Sequence, residues 1–308
     1  MNPIGAPTSQ RFAELTLSDC IVPDWRVSQR VCALMTTRAG GVSCGAYGVL
    51  RNQQCVPGGL NLGLHTGDDM DAVRENRRRV LALVGAHAAW LEQVHGTRVV
   101  SADEVVGTDL LTADALGPKA DASVTDRAGV VCAILVADCM PVLICDEAGR
   151  AVGAAHAGWR GLVGGVVEHT VGAVRALLAR HEHAPGVLHA YLGPSIGPCA
   201  FEVGEEVRAA FLDASLPDER DATDAAFVEL PSRAIDDVSR VDDAADVHGD
   251  GRCKYFGNLG ALARLRLARV GVHHVSGPHA CTFSDPARFY SYRRDRTTGR
   301  MAALIWLA

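Results

Sequence analysis

A chain of 308 residues, 48% hydrophobic and 21% charged, is long enough to bury a large core as one domain or two. Its net charge of −6 carries no electrostatic footprint for nucleic acid, and its longest apolar run, Val130 to Ala137, is far too short to span a bilayer. Ten irregularly spaced cysteines with no Cys-x-x-Cys pair, behind a start that lacks a signal peptide, predict free thiols and a cytoplasmic protein.

In chain order, residues 1–30 read as a loosely ordered leader and 31–308 as one domain without internal repeats. Val31 to Thr37 predicts a strand ending in the flexible turn Arg38-Ala-Gly40-Gly41. The Gly-rich stretch 43–59 reads as loop. Asn61-Leu-Gly63-Leu-His65-Thr-Gly67 is a polar, Gly-rich segment that can offer backbone N–H groups to an anion. Val73 to Val84 has the spacing of an amphipathic helix, capped by Asp68 or Asp69. Strands are expected at 90–94, 97–101, 121–125, 130–136, 142–146 and 151–156. A helix follows at 162–180, a strand at 188–192 and a helix at 203–212. The Asp-rich stretch 214–250 reads as a surface insertion. Helix 257–270, strand 272–276 and strand 301–307 close the chain. The order lacks a regular βαβ rhythm, which predicts an α/β fold of mixed β-sheet layers flanked by helices.

Three segments expected as strands end in metal-ligand types: His95 of Glu92-Gln-Val-His95-Gly96, Cys139 of Asp138-Cys139-Met-Pro141, and His156 of His156-Ala-Gly-Trp-Arg160-Gly161. One Cys and two His with a fourth position open suit catalytic zinc. Hydrogen-bonded structural histidines and an inert buried thiol are the competing reading, because the spacings match no local zinc motif. Gly193-Pro-Ser195-Ile-Gly197 has the pattern of a nucleophile elbow, yet the flanking prolines favour a stiffened loop. Phosphate-binding glycine loops for nucleotides are absent. Phe289-Tyr290-Ser291-Tyr292-Arg293-Arg294-Asp295 reads either as a surface loop or as a wall for a stacked base with a guanidinium fork for phosphate.

Together these motifs resemble the YfiH family, also called laccase-domain or peptidoglycan-editing-factor proteins. The likeness runs from Thr37-Arg38-Ala-Gly-Gly41 through the segments at 61–69, 92–96, 120–122, 137–141 and 156–161. It continues in Leu192-Gly-Pro-Ser-Ile-Gly-Pro-Cys199, Tyr290-Ser-Tyr-Arg-Arg-Asp295 and Thr298-Gly-Arg-Met301. The resemblance implies one zinc ion held by His95, Cys139 and His156. It also implies phosphorolysis of adenosine, inosine, guanosine and methylthioadenosine, and deamination of adenosine. Its partners would be a small-molecule nucleoside and phosphate. A cysteine-dependent amidase that edits peptidoglycan precursors is the alternative, and copper polyphenol oxidation ranks last. For the nucleoside chemistry, Asp138 or Glu92 is the candidate proton carrier beside Cys139, and Arg38, Asn61 and Arg293 are candidates for phosphate and ribose contacts. The usual Asp-Leu-Trp of the family is replaced here by Asn258-Leu259-Gly260.

Overall fold

A computed structural model of the protein describes residues 14–107, 117–180, 186–231, 253–277 and 280–308. Two mixed sheets face each other, and helices cover their outer faces. The first sheet has the order Cys20–Ile21, Val31–Thr36, Met301–Leu307, Val130–Val136, His87–Ala89. The second runs His274–Ser276, Leu188–Leu192, Met140–Asp146, Val152–Ala157, Ala122–Thr125, Val99–Ser101. The last pair of the first sheet is parallel, as are both edge pairs of the second.

The uninterrupted apolar run Val130–Val136 follows from this layering, because its strand is buried on both faces. Cys132, Ile134 and Val136 point between the sheets, where they meet Leu143, Cys145 and Tyr191. Val131, Ala133 and Leu135 face outward onto Leu60, Leu62 and Val80, the last on the helix Met70–Val84. On the far side, Val142 and Ile144 pack beneath the helices Val166–Arg180 and Leu259–Arg269. No described helix is long and apolar enough to cross a membrane.

Local chemistry sets the ends of the helices. The Asp69 side chain accepts from the Asp71 N–H to cap Met70–Val84, and Gly85 closes it with φ +65°. The single helix expected over 162–180 is two, Trp159–Gly164 and Val166–Arg180, divided by Gly165 at φ +94°. Asn258 caps the helix Leu259–Arg269 by accepting from the Ala261 N–H, a role an aspartate would fill equally well.

Four further expectations differ from the structure. Residues 90–94 leave the sheet, because the Gln93 amide exchanges two hydrogen bonds with the backbone of Leu135, at 2.8 and 2.7 Å, in place of a strand partner. The stretch read as loop over 43–59 contains a hairpin, Val49–Arg51 with Gln54–Val56, turned by Asn52 and Gln53 at positive φ. Within 214–250, the described part forms the helix Arg220–Asp224 and the strand Phe227–Glu229, which pairs with Lys254–Gly257; residues 232–250 lie outside the described residues. In the leader, Cys20–Ile21 pairs with the strand Val31–Thr36, whereas residues 1–13 lie outside the described residues.

Leu143 is fully buried between the sheets. Leu143→Ala is expected to lower the unfolding free energy by about 2–5 kcal/mol in chemical denaturation. Val228→Ala, at a side chain 64% exposed, should change it by less than about 0.5 kcal/mol.

Candidate metal centre

Cys139 lies in the short link Ala137–Cys139 by which the chain leaves the first sheet, at Val136, and enters the second, at Met140. His156 stands on the neighbouring strand, with Pro141 opposite it in the register. His95 comes from the irregular segment after Gln93 and not from a strand end. The ligand atoms of His95, Cys139 and His156 lie within 4.8 Å of one another, a grouping found once among the described residues. Cys139 Sγ is 3.8 Å from His95 Nε2, and the two imidazole rings sit edge to face at 4.8 Å.

The group that gathers them is Asp121, which is fully buried and had been given no role from the sequence. Its carboxylate accepts the His95 and Gly96 N–H groups at 2.8 and 2.7 Å and the Val94 N–H at 3.2 Å. The fourth contact is His156 Nδ1 at 2.9 Å. The Asp121 carbonyl also accepts the His156 N–H at 2.7 Å. One side chain thus shapes the His95 loop and fixes the His156 ring, presenting Nε2 of His156 to the centre. Burial opposes ionisation of Asp121, but His156 and the Gly96 and Val94 N–H groups hold its carboxyl below the usual range. In the sequence Asp121 appears only within the family-like segment 120–122, with no role attached to it.

Space at the centre is tight. A Cβ on Gly158 would stand 3.0 Å from both Cys139 Sγ and His95 Cδ2. Burial pushes the Cys139 thiol up, yet the charge of His156 and hydrogen bonds from both imidazoles bring it down to about 6. His156, disfavoured as a cation by burial, is raised to about 9 by Cys139 and Asp121. Each of the two groups therefore favours the charged form of the other.

This donor set fits a metal ion. A tetrahedral zinc with bonds of about 2.0–2.3 Å separates its ligand atoms by roughly 3.3–3.8 Å, so a contraction of about 1 Å in the widest pair suffices. The two imidazoles favour the Cys139 thiolate, a carboxylate orients the His156 ring, and Gly158 leaves the space free.

The other candidate residues are placed differently. Both Asp138 carboxylate oxygens are engaged, Oδ1 accepting from Thr282 Oγ1 at 2.6 Å and Oδ2 from the Arg293 N–H at 2.7 Å. Glu92 is partly exposed, with Lys119 Nζ 3.8 Å away. Arg38 is buried among the carbonyls of Ala46, Gly48 and Pro286 and lies over the Tyr290 ring. Asn61, also buried, bonds Thr66, Asp68, Gly63 and the Arg300 N–H. The Arg293 guanidinium donates to the Glu202 carbonyl. In the C-terminal aromatic segment Phe289 and Tyr290 are buried and Arg294 is tied to three carbonyls, while Tyr292 is half exposed, with the Arg296 and Arg300 guanidinium groups over its ring.

Residues 32–308 match the family profile described as multi-copper polyphenol oxidoreductase laccase. The purine nucleoside phosphorylase YfiH of Escherichia coli (strain K12) is 42% identical over 94% of this chain and all of its own length. A purine nucleoside phosphorylase of Pseudomonas aeruginosa is 43% identical, over 93% of this chain and 98% of its own. The crystal structure of a DUF152 protein of Neisseria meningitidis is similar with a TM-score of 0.74 and 44% identity, covering 94% of this chain and 99% of that one. These likenesses span nearly the whole chain, and the chain belongs to the YfiH (DUF152) family.

Proposed function

We propose that the protein is a metal-dependent purine nucleoside phosphorylase whose ion is zinc, held by His95, Cys139 and His156. The observation that carries this reading is the convergence of the three ligands on one carboxylate-oriented centre, in a chain whose relatives bear that name. In phosphorolysis a phosphate oxygen bonds to C1′ of the ribose as the C1′–N9 bond breaks, giving ribose 1-phosphate and the free purine. Zinc bound there supplies a Lewis acid for the substrate.

The chain's own residues supply positioning. Asp121 holds the His156 ring and the His95 loop in place. Asp138 ties the Cys139 link to Thr282 and Arg293, so it positions the centre. Glu92, with only a long contact to Lys119, is the freer carboxylate and the one we assign to proton transfer at the departing base. Tyr292, half exposed with the Arg296 and Arg300 guanidinium groups 5.9 and 5.8 Å from its ring centroid, is the aromatic side chain we assign to contact with the purine.

The lowered Cys139 pKa also favours a second reading, a cysteine amidase acting on peptidoglycan precursors through a free thiolate. A bound metal separates the two readings, since it would support phosphorolysis and block the nucleophile. Polyphenol oxidation by several coppers would need more ligand groups than the one found among the described residues.

The purified protein should carry about one zinc ion per chain by elemental analysis, and near none after substitution of His95, Cys139 or His156 by Ala. Chromatography of adenosine, inosine, guanosine and methylthioadenosine should show the free base only when phosphate is present. Inosine formed from adenosine without phosphate would establish deamination instead, and turnover of a muramyl-serine precursor inhibited by zinc would establish the amidase. Asp121→Asn, which keeps the shape but not the charge, should weaken zinc affinity about 10–100-fold in competition with a chelator.

A further inference from the structure

Two guanidinium groups flanking the Asn61–Gly67 segment lack, among the described residues, the carboxylate partners that the other arginines of the helix Met70–Val84 have. On the helix Met70–Val84, Arg74 pairs with Asp71, and Arg78 and Arg79 pair with Glu75. Arg77, on the same helix, has no carboxylate within ion-pair distance among the described residues. It stacks over the Trp90 ring at 4.3 Å and gives its Nε–H to the Leu62 carbonyl at 2.9 Å. Arg300 likewise has no carboxylate partner among the described residues. Its Nη1 donates to the Thr298 and Gly299 carbonyls, each at 3.1 Å.

The fold brings these two cations to one place. The Leu62 N–H donates to the Arg300 carbonyl at 3.0 Å, and the Leu62 carbonyl takes the Arg77 Nε–H. Gly63 makes room for the Arg300 stem, since a Cβ there would stand 2.8 Å from Arg300 Cγ. His65, at the exposed end of the same segment, is held below its usual pKa by burial and by both guanidinium charges. Burial lowers Arg77 to about 10 and lowers Arg300 as well, against the pull of Cys139 and Asp138 on Arg300. The Thr298 hydroxyl, 2% exposed, has no hydrogen-bond partner among the described residues. Partly buried cations without a counter-charge are costly, and an oxyanion relieves that cost.

We propose that Arg77 and Arg300, with the Asn61–Gly67 segment between them, form the binding site for inorganic phosphate, next to the His95–Cys139–His156 centre. Arg38 is buried among three carbonyls and Asn61 is bonded within its own segment, whereas Arg77 and Arg300 flank that segment from two sides. The identity of the anion rests on the phosphorolysis reading; the cationic site rests on its own geometry. Met301, next to Arg300 in the chain, pairs with Val136 at the start of the link that carries Cys139, which puts the bound phosphate beside the reaction centre.

Titration calorimetry of the full-length protein with inorganic phosphate, without nucleoside, tests the site directly. Arg77→Met and Arg300→Met should each weaken phosphate binding by about tenfold or more, while zinc content stays unchanged. Arg300→Lys, which keeps the charge in a comparable stem, should retain part of the affinity. Arg78→Met on the outer face of the helix should leave it unchanged, which separates a site from a general charge effect. A parallel titration with adenosine 5′-monophosphate distinguishes free phosphate from a nucleotide's. Unaltered phosphate binding in both Met variants, no binding to the wild type, or losses confined to the nucleotide would overturn the proposal. Phosphate binding lost in both variants, together with a wild type that binds phosphate yet leaves nucleosides intact, would uphold the site and refute the phosphorolysis reading.

Discussion

The buried carboxylate of Asp121 is the constraint on which the centre depends. Three backbone N–H groups from Val94, His95 and Gly96 and one imidazole nitrogen from His156 converge on its two oxygens. Hydrogen bonds to a charged acceptor contribute about 1.5–3 kcal/mol each, and removing the acceptor would leave three amides to find other partners inside the protein. The loop carrying His95 has no ladder of its own to hold it. Its conformation is borrowed from a side chain on a strand of the opposing sheet.

Strain at the centre is consistent with that dependence. His95 and Asp138 both adopt positive φ, +59° and +89°, a region that non-glycine residues visit rarely and at about 1–3 kcal/mol each. Each is held there by bonds that a relaxed backbone would forfeit: the Asp121 oxygen on the His95 N–H, and the Thr282 and Arg293 donors on the Asp138 carboxylate. The link 137–139 must also carry the chain from one sheet to the other. A compact crossing of this kind places a thiol where two layers meet, beside a histidine from the adjacent strand. Catalytic constellations are often assembled at such over-determined backbone positions.

Much of the fold was legible in the sequence because burial on both faces leaves an unmistakable apolar run, as in Val130–Val136 and Met301–Leu307. Helix ends were legible where capping chemistry is local, at Asp69. Contacts distant in sequence left no such trace. Gln93 replaces a strand partner through a side chain, and the turn at Asn52-Gln53 lacks the glycine that usually marks a hairpin. At the centre, the soft-ligand residues stood out by type, and the family motifs grouped them. Asp121 lay in one of those motifs but showed no role, because a single aspartate before a buried strand carries no chemical pattern of its own; its importance lies in four donors from two remote segments. Arg38 and Asn61 drew notice as polar groups in Gly-rich turns, whereas the structure uses both to tie those turns together. Arg77 was hidden among four arginines on one helix, separable only once the carboxylates were seen to satisfy its neighbours.

The most direct test of this account is X-ray absorption at the metal edge of the purified protein. The geometry predicts a single sulfur scatterer at about 2.3 Å from Cys139 and two imidazole nitrogens at about 2.0–2.1 Å from His95 and His156. A spectrum of a bound metal showing no sulfur, or oxygen and nitrogen alone in its first shell, would contradict it.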